Sequence, residues 1–566
     1  MRTLFIQITV VILAINVVSF FYLPQVLWSL VIFGPLILLG MRDITQKSHS
    51  ILRNYPILGH MRFLLEEIRP EMYQYFVESD TSGRPFSREQ RTIVYSRAKN
   101  TRDTIPFGTV ENVYETGYEW VNHSLSPKKM GHADVRVQIG GPDCKQPYSA
   151  SILETGYEWV NHSLSPKKMG HADVRVQIGG PDCKQPYSAS ILNISAMSFG
   201  ALSKNAVMAL NQGAKIGGFS HNTGEGGVSP YHLQGGDLVW QVGTGYFGCR
   251  DKEGKFCPDT FAANSAKEQI KMIEIKLSQG AKPGHGGILP AAKLTEEIAK
   301  IRDVPMGHDV DSPPGHTAFA NPLELMDYIA QLRELSGGKP VGFKLCVGKR
   351  REFIAICKAM HETGIAPDFI TVDGGEGGTG AAPMEFSNHI GTPLVEGLIF
   401  VHNVLVGYDL RKKVKVISSG KMTSGFGLVK RLALGADLCN SARAMMMALG
   451  CIQARKCNSN VCPVGVTTQN PSLFGALVPE DKSKRVNNYH QNTVDSACQI
   501  MGAMGLESAA ELRPWHLMRR IEAYEIRNFS EIYEYIETGS LLQKSKPESY
   551  ARACDAARAD SFTATN

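Results

Sequence analysis

The sequence is poor in the features that mark several whole classes of protein. Its 12 cysteines are scattered over 566 residues, without the density of a small secreted scaffold, so most are expected to be reduced, buried thiols. Cys346, Cys357 and Cys439, set inside apolar runs, fit that reading. No run of Lys or Arg stands out and the formal net charge is only +6, which gives no nucleic-acid footprint. With 43% hydrophobic and 20% charged residues the chain is not a disordered one. GEGGTG (Gly375–Gly380) formally matches the dinucleotide fingerprint G-x-G-x-x-G. Ala-Ala-Pro follows where a helix should continue, and no second βα half with a ribose-binding acid is found, so NAD(P)H binding within the chain is rejected. Glycine, by contrast, is abundant at 55 residues and clustered, which points to loops that bring backbone close to ligands.

The N-terminus departs from this soluble pattern. Leu4–Phe20 and Leu27–Leu39 are almost wholly apolar and are separated by a turn at Pro24; each is close to the minimum for a span. Residues 1–42 are therefore read as a two-helix transmembrane hairpin. Arg2 precedes the first run, and Arg42, Lys47 and Arg53 follow the second, so both ends, and the body of the chain after them, are expected in the cytoplasm. A cleaved signal peptide fits less well, with one basic residue ahead of the core and no small-x-small cleavage site. Residues 43–113 read as a polar, partly helical juxtamembrane segment that includes MRFLLEEIRPEMYQYF.

Within 114–192 lies an unbroken tandem duplication: residues 115–153 recur without a change at 154–192. Two copies cannot form a solenoid. Both contain the strand-like VRVQIGG and PYSASIL, yet a barrel has room for one set, so one copy is expected to be surplus.

From Ile191 to about residue 470, apolar strand-like runs alternate with helical patterns. NISAMSF, IGGFSHN, MIEIKLS, VGFKLCV, DFITVDG, VKVISSG and ADLCNSA are the candidate strands. LSKNAVMALNQGAKIG, PLELMDYIAQLRELSGG, REFIAICKAMHETG and GFGLVKRLALG are the helices between several of them. Repeated βα units with fully apolar strands predict a (β/α)8 TIM barrel. Glycine-rich and polar clusters directly follow the strands, at the end where a barrel builds its active site. Residues 471–544 are expected to be a helical extension and 545–566 a disordered tail.

SGKMTSG (Ser419–Gly425) and NSARA (Asn440–Ala444) follow the last two strands, where barrels bind phosphate through backbone N–H groups and a helix N-terminus. FMN suits such a site, with Arg443 adding charge and Lys344, at the end of GFKL, near the flavin N1/O2 edge. Cys451, Cys457 and Cys462 form a C-x5-C-x4-C run ending in Cys-Pro. That is not a paired zinc knuckle; three thiolates suit a 3Fe–4S cluster, although spacing alone leaves ordinary buried cysteines equally open.

SAMSFGALS, HNTGEGG, GAKPGHGG, DGGEGGTGAAP, SGKMTSG and CIQARKCNSNVCPVGVTTQ occur in that order. With them, the run from about Tyr114 to Thr468 resembles the FMN-binding synthase domain of glutamate synthases, specifically its short, stand-alone, membrane-tethered group. The resemblance implies FMN, a 3Fe–4S cluster on Cys451, Cys457 and Cys462, and reductive amination of 2-oxoglutarate with ammonia to L-glutamate. It implies that Ser198, Gly200, Lys344, Gly374, Gly375, Gly420, Gly425, Ser441 and Arg443 hold the cofactor. Asn222, Thr223, Glu225 and His285 would face the substrate, and Glu225 and Lys344 would be catalytic. Glu225, given a raised pKa, would orient ammonia or protonate the developing amine.

The departures are informative. The large enzymes begin with an amidotransferase whose catalytic cysteine is the mature first residue, where this chain has Met-Arg and the apolar hairpin. Ammonia, or a partner that supplies it, and an external electron donor (ferredoxin-like or a reductase subunit) are therefore expected from outside. His285 stands where those enzymes have a glutamate. The alternatives are the same cofactors acting on another 2-oxo acid or amine, and a membrane-bound flavin/iron–sulfur electron-transfer module. A simple FMN hydroxy-acid oxidase leaves the cysteines unexplained.

Overall fold

In a computed structural model, the described residues are 2–46, 50–79, 83–101 and those from 158 onward, except 161, 162, 164–166, 168, 172, 173, 523, 524 and 564–566. The first copy of the duplication, 115–153, lies outside them. The chain divides into two compact units, Met1–Arg88 and Glu89–Asn566.

The first unit holds a helix at Arg2–Phe20 and a 3-10 turn at Pro24–Trp28 running into a helix at Ser29–Thr45. By length and composition the two apolar helices could cross a membrane, a test that a signal sequence also passes. Asp43, buried at the end of the second, accepts hydrogen bonds from the Ile57 N–H (2.9 Å) and His60 Nε2 (2.9 Å), and so fixes the start of the helix Leu58–Met72.

The second unit is a closed parallel barrel of eight strands, as predicted. In chain order these are β1 Leu192–Ile194, β2 His221–Asn222, β3 Leu238–Val242, β4 Ile270–Lys276, β5 Val341–Leu345, β6 Phe369–Asp373, β7 Lys415–Ser419 and β8 Leu438–Ser441. β8 closes onto β1 through pairs such as Asn440 with Asn193. Every residue of β3, β5 and β6 is buried, as befits strands between a filled interior and a helical shell.

Seven strands fall on the predicted runs; the eighth, β3 (LVWQV), was absent from them. Only a 3-10 turn, Pro230–His232, lies between β2 and β3, so the strand–helix period breaks there and gives no signal.

The barrel helices are α1 Lys204–Gly217, α2 Pro322–Leu335, α3 Arg350–Thr363, α4 Leu394–Gly407, α5 Gly425–Ala433 and α6 Arg443–Leu449. Their ends are set locally. Asn321 caps α2 by accepting the Glu324 N–H at 3.0 Å, with Pro322 in the first turn, and Gly364, at φ 73°, ends α3.

Beyond the barrel, α7 (Pro479–Ala503) packs along α1. A Cβ on Gly213 of α1 would lie 2.7 Å from Val486 of α7. The region after it is not wholly helical as expected: Leu517–Arg520 pairs antiparallel with Ile526–Asn528 and with Glu158–Val160 of the second repeat copy. That copy also forms the hairpin Arg175–Ile178 with Tyr187–Ser190. The expectation of a disordered tail from 545 also needs correction. Helix Glu548–Ala556 buries Tyr550 and Cys554, and the Lys358 Nζ donates to the carbonyls of Cys554 and Ala557 (2.8 Å each). Apolar residues at helical spacing in a polar tail were enough to dock it.

Candidate active site at the barrel mouth

At mid-height the barrel interior carries an acidic side chain. Glu274 of β4 is buried and accepts from Asn222 Nδ2 (2.7 Å), Gln241 Nε2 (2.6 Å) and Thr371 Oγ1 (2.6 Å). Three donors satisfy a carboxylate removed from water. Asn222 also accepts the Gly224 N–H (3.0 Å), and the Thr223 hydroxyl accepts that of Gln241 (3.1 Å). These two side chains, expected at the substrate, are engaged inside the protein.

Two residues beyond Glu274, Lys276 ends β4 and its ammonium lies 2.5 Å from Glu225. Burial pushes the Glu225 carboxyl up, but Lys276, Arg302 and Lys282 outweigh it and hold it below the usual range. The raised pKa expected for Glu225 is therefore not what its surroundings give; at neutral pH it is a carboxylate. Lys282 is buried, and desolvation with the neighbouring Lys276 lowers it to about 8. Arg302, lowered to about 10 by burial, lies over the Phe247 ring at 5.1 Å and donates to the carbonyl of Phe199 (3.2 Å). Its Nη2 also lies 3.4 Å from the Ser198 hydroxyl, so the Ser198–Gly200 loop is tied to the same cluster. Glycines make the space: a Cβ on Gly287 would come within 2.4 Å of Glu225 Oε1, and one on Gly243 within 2.7 Å of the same side chain.

His316 orders the wall. Its Nε2–H donates to the Lys276 carbonyl (2.9 Å), and its Nδ1 accepts from the Tyr246 hydroxyl (3.1 Å). Burial lowers the ring to about 4, so it is neutral. His285 sits edge-on to Phe386, with ring centroids 5.4 Å apart, and its Nδ1 is 3.1 Å from the Gly286 carbonyl.

Lys344 of β5 is buried 3.1 Å from Asp373 of β6. Burial lowers its pKa, but Asp373, Glu274 and Glu225 outweigh this and raise it, keeping the ammonium charged. Asp373 also accepts the Gly280 N–H (2.9 Å), joining the GAKPGHGG loop to the DGGEGG loop. Gly374 and Gly375 lie in the latter loop, where Gly374 N–H donates to Ser419 and Gly375 N–H to Thr392.

At the phosphate end, Gly420 has φ 138°. Ser424 caps α5 by accepting the Gly427 N–H (3.1 Å), so the first N–H groups of the helix, on Gly425 and Phe426, have no intrahelical partner. Gly425 has a second reason to lack a side chain, since a Cβ there would lie 2.5 Å from the Ala497 nitrogen of α7. The Ser441 hydroxyl donates to Met422 (2.8 Å), and Arg443 Nη2 donates to the Glu376 carbonyl (2.9 Å). Arg443 thereby links α6 to the DGGEGG loop.

Among the described residues, no three His, Cys, Asp or Glu are arranged as a metal site. In the cysteine loop the surroundings favour a thiolate at Cys462. Burial raises the Cys462 thiol, but the Thr467 hydroxyl and N–H and the N–H groups of Val464 and Val466 outweigh it and lower it. Cys451, raised to about 12 by burial, senses both Cys457 and Cys462. Lys293 stands beside Cys457 and Cys462 and donates to the Ala201 carbonyl (2.9 Å), next to Gly200.

Residues 172–507 match the conserved region in glutamate synthase. That span is more than half of the chain. The chain belongs to the glutamate synthase family. It is 36% identical to the glutamate synthase large subunit-like protein YerD of Bacillus subtilis, over 87% of this chain and 94% of that protein. It is 34% identical to the archaeal glutamate synthase [NADPH] of Methanocaldococcus jannaschii, over 56% of this chain but only 60% of that protein. A solved mutant flavocytochrome b2 with benzoylformate covers 64% of this chain and 75% of its own at 15% identity and a TM-score of 0.37, too loose a likeness to argue from. Family membership makes the chain an oxidoreductase of the class acting on CH–NH2 donors.

Sequence reasoning missed Lys276, Lys282, Arg302, Asp373 and Glu274. For two of them a signal existed: in MIEIKLS, Glu274 and Lys276 stand two apart inside an apolar run, the spacing of side chains on one face of a strand.

Proposed function

We infer that this family member carries out reductive amination of 2-oxoglutarate with ammonia to L-glutamate, using FMN at the barrel mouth and a 3Fe–4S cluster on Cys451, Cys457 and Cys462. The observation that carries this is the cation cluster of Lys276, Lys282 and Arg302 around Glu225, beside the buried Lys344–Asp373 pair. A dicarboxylic 2-oxo acid is a dianion, and a desolvated site with three cations suits it. The loops at Ser198–Gly200, Gly374–Gly375 and Gly420–Gly425, with Lys344, Ser441 and Arg443, would hold FMN, which would supply hydride, and Cys451, Cys457 and Cys462 would hold a cluster that supplies it with electrons from an external donor.

The protein's own groups then have separate tasks. Arg302 and Lys276 hold substrate carboxylates. Glu225, kept ionised by its neighbours, accepts hydrogen bonds from incoming ammonia and orients it. Lys282, with a pKa near 8, is matched to give and take a proton as the carbonyl oxygen leaves and the amine forms. His285 lines the substrate side of the GAKPGHGG loop. The apolar helices anchor the enzyme in a membrane, with the barrel on the cytoplasmic face.

The test is anaerobic re-oxidation of the reduced full-length protein. Flavin absorbance should recover, and glutamate appear, only when 2-oxoglutarate and ammonium are both present. Flavin that stays reduced with both substrates, in protein shown to contain flavin and iron, refutes the reading and points to another oxo acid or amine.

A further inference from the structure

After β3 the chain runs along the site wall and folds back as a tight hairpin. Gly254 N–H donates to Asp251 (3.1 Å), Asp251 N–H to Lys255 (2.9 Å), and Cys257 N–H to Cys249 (2.9 Å). Arg250 and Phe256 bridge antiparallel between the last two bonds. Cys249 and Cys257 are thus directly opposite, with side chains on one face. Residues so paired have Cα atoms about 5.5 Å apart, inside the range of roughly 4.4–6.8 Å that a disulfide needs.

The two thiols differ in the way a reacting pair requires. Cys257 is half-buried and occupies the N-cap position of the eight-residue helix Pro258–Ser265, in front of its first turn. The hydroxyl and N–H of Thr260 and the N–H of Asp259 lower its thiol, which favours the nucleophilic thiolate. Cys249 has no exposed surface, and burial raises its thiol. One is reachable and reactive, while the other is held behind it.

We propose that Cys257 and Cys249 are a peroxide-reactive pair that closes to a disulfide across the hairpin. The Cys257 thiolate attacks hydrogen peroxide and takes up one oxygen as the sulfenic acid, with the other oxygen leaving as water after protonation. Cys249 Sγ then displaces the sulfenic hydroxyl, which departs with the Cys249 proton as a second water. Peroxide is the oxidant, and each thiol gives up one electron. The bond would fix the wall that carries Phe247, on which Arg302 rests, and Gly248, whose added Cβ would meet Gly227 of the HNTGEGG loop at 3.5 Å.

The reduced full-length protein is treated anaerobically with one equivalent of hydrogen peroxide, alkylated and digested with trypsin. Cleavage after Arg250, Lys252 and Lys255 separates the two cysteines, so the crosslink appears as two joined peptides. The expected result is this disulfide formed first, with loss of two titratable thiols per chain. C257S should abolish it and leave Cys249 alkylatable, while C249S should leave a Cys257 sulfenic acid that dimedone captures. Serine is a good helix cap, so C257S preserves the fold. The proposal is overturned if other cysteines oxidise while these two stay free, or if C257S loses the Cys249 thiol to peroxide as fast as the parent.

Discussion

Replacing Lys276 by Met isolates the electrostatics of the site. The Lys276 and Glu225 side chains are only 7% and 16% exposed and their charged atoms 2.5 Å apart. Removing one partner of a buried pair costs about 3–5 kcal/mol, because the other charge is stranded. Arg302 and Lys282 remain near Glu225, so the lower end, about 3 kcal/mol, is expected at pH 8. The pH dependence separates charge from packing. In the parent, the folded-state pKa of Glu225 lies below its usual 4.5; its contribution to stability is present above that pH and lost as the pH falls through the folded value. In K276M the burial effect meets fewer cations, the folded pKa rises, and the carboxylate becomes a liability above the unfolded pKa. The gap between K276M and the parent should therefore be widest at pH 8 and narrow toward pH 5. Urea midpoints followed through Trp240, buried against Phe261 at 5.0 Å, report it. A double variant with E225Q should regain at least half of the loss. An equal gap at both pH values, with no recovery in the double variant, would refute the charge argument and assign Lys276 a packing role through its stem.

K282Q should lower turnover about 100-fold or more and remove the fall in rate expected of the parent as the pH rises through about 8; an unchanged pH–rate profile would remove Lys282 from proton transfer. G287A pushes a methyl group to 2.4 Å from Glu225 Oε1, so substrate saturation should weaken at least 10-fold (about 1.4 kcal/mol) while flavin content stays constant, as read by steady-state kinetics and absorbance. Serine at Cys451, Cys457 and Cys462 together should eliminate bound iron by colorimetric assay and leave flavin in place. Deleting residues 115–153 should leave the far-ultraviolet circular dichroism and cofactor content of the barrel intact; loss of either would show that the first copy is required.

Much of the barrel was legible because its strands and helices repeat with two clear periods. β5, β6 and β7 are apolar runs ended by glycine-rich loops, and α2 and α3 carry their own caps. What escaped detection lacked such local contrast. β3 is five residues long with no helix before it, and the docked tail helix is polar over most of its surface. At the site, motif order located the loops; Glu225 follows β2 and Lys344 lies near the end of β5. The partners that set their charge did not appear, since Lys276 and Asp373 come from different strands and Arg302 from the helix Glu296–Arg302, and they meet only on closure of the barrel. The ionisation of Glu225 was misread for the same reason: a glycine-rich loop suggests burial, which raises a carboxyl, but says nothing of three cations arriving from elsewhere.

The duplication shows the limit of local propensity in its purest form. Residues 115–153 and 154–192 have the same composition, the same periodicity and the same capacity for strand and turn, so no reading of either segment alone can tell which one builds the hairpin under the barrel. Connectivity can. The second copy runs without a break from the hairpin strand Tyr187–Ser190 into β1 at Leu192, whereas the first is followed by another whole copy. Placing the first copy in the hairpin would require the 39-residue repeat to be closed as a loop between it and β1, an entropic cost of roughly 3 kcal/mol on the logarithmic loop scale. Using the second copy avoids that closure and keeps the native sequence neighbour of β1. The described strands at 158–160, 175–178 and 187–190 are where that preference is expressed.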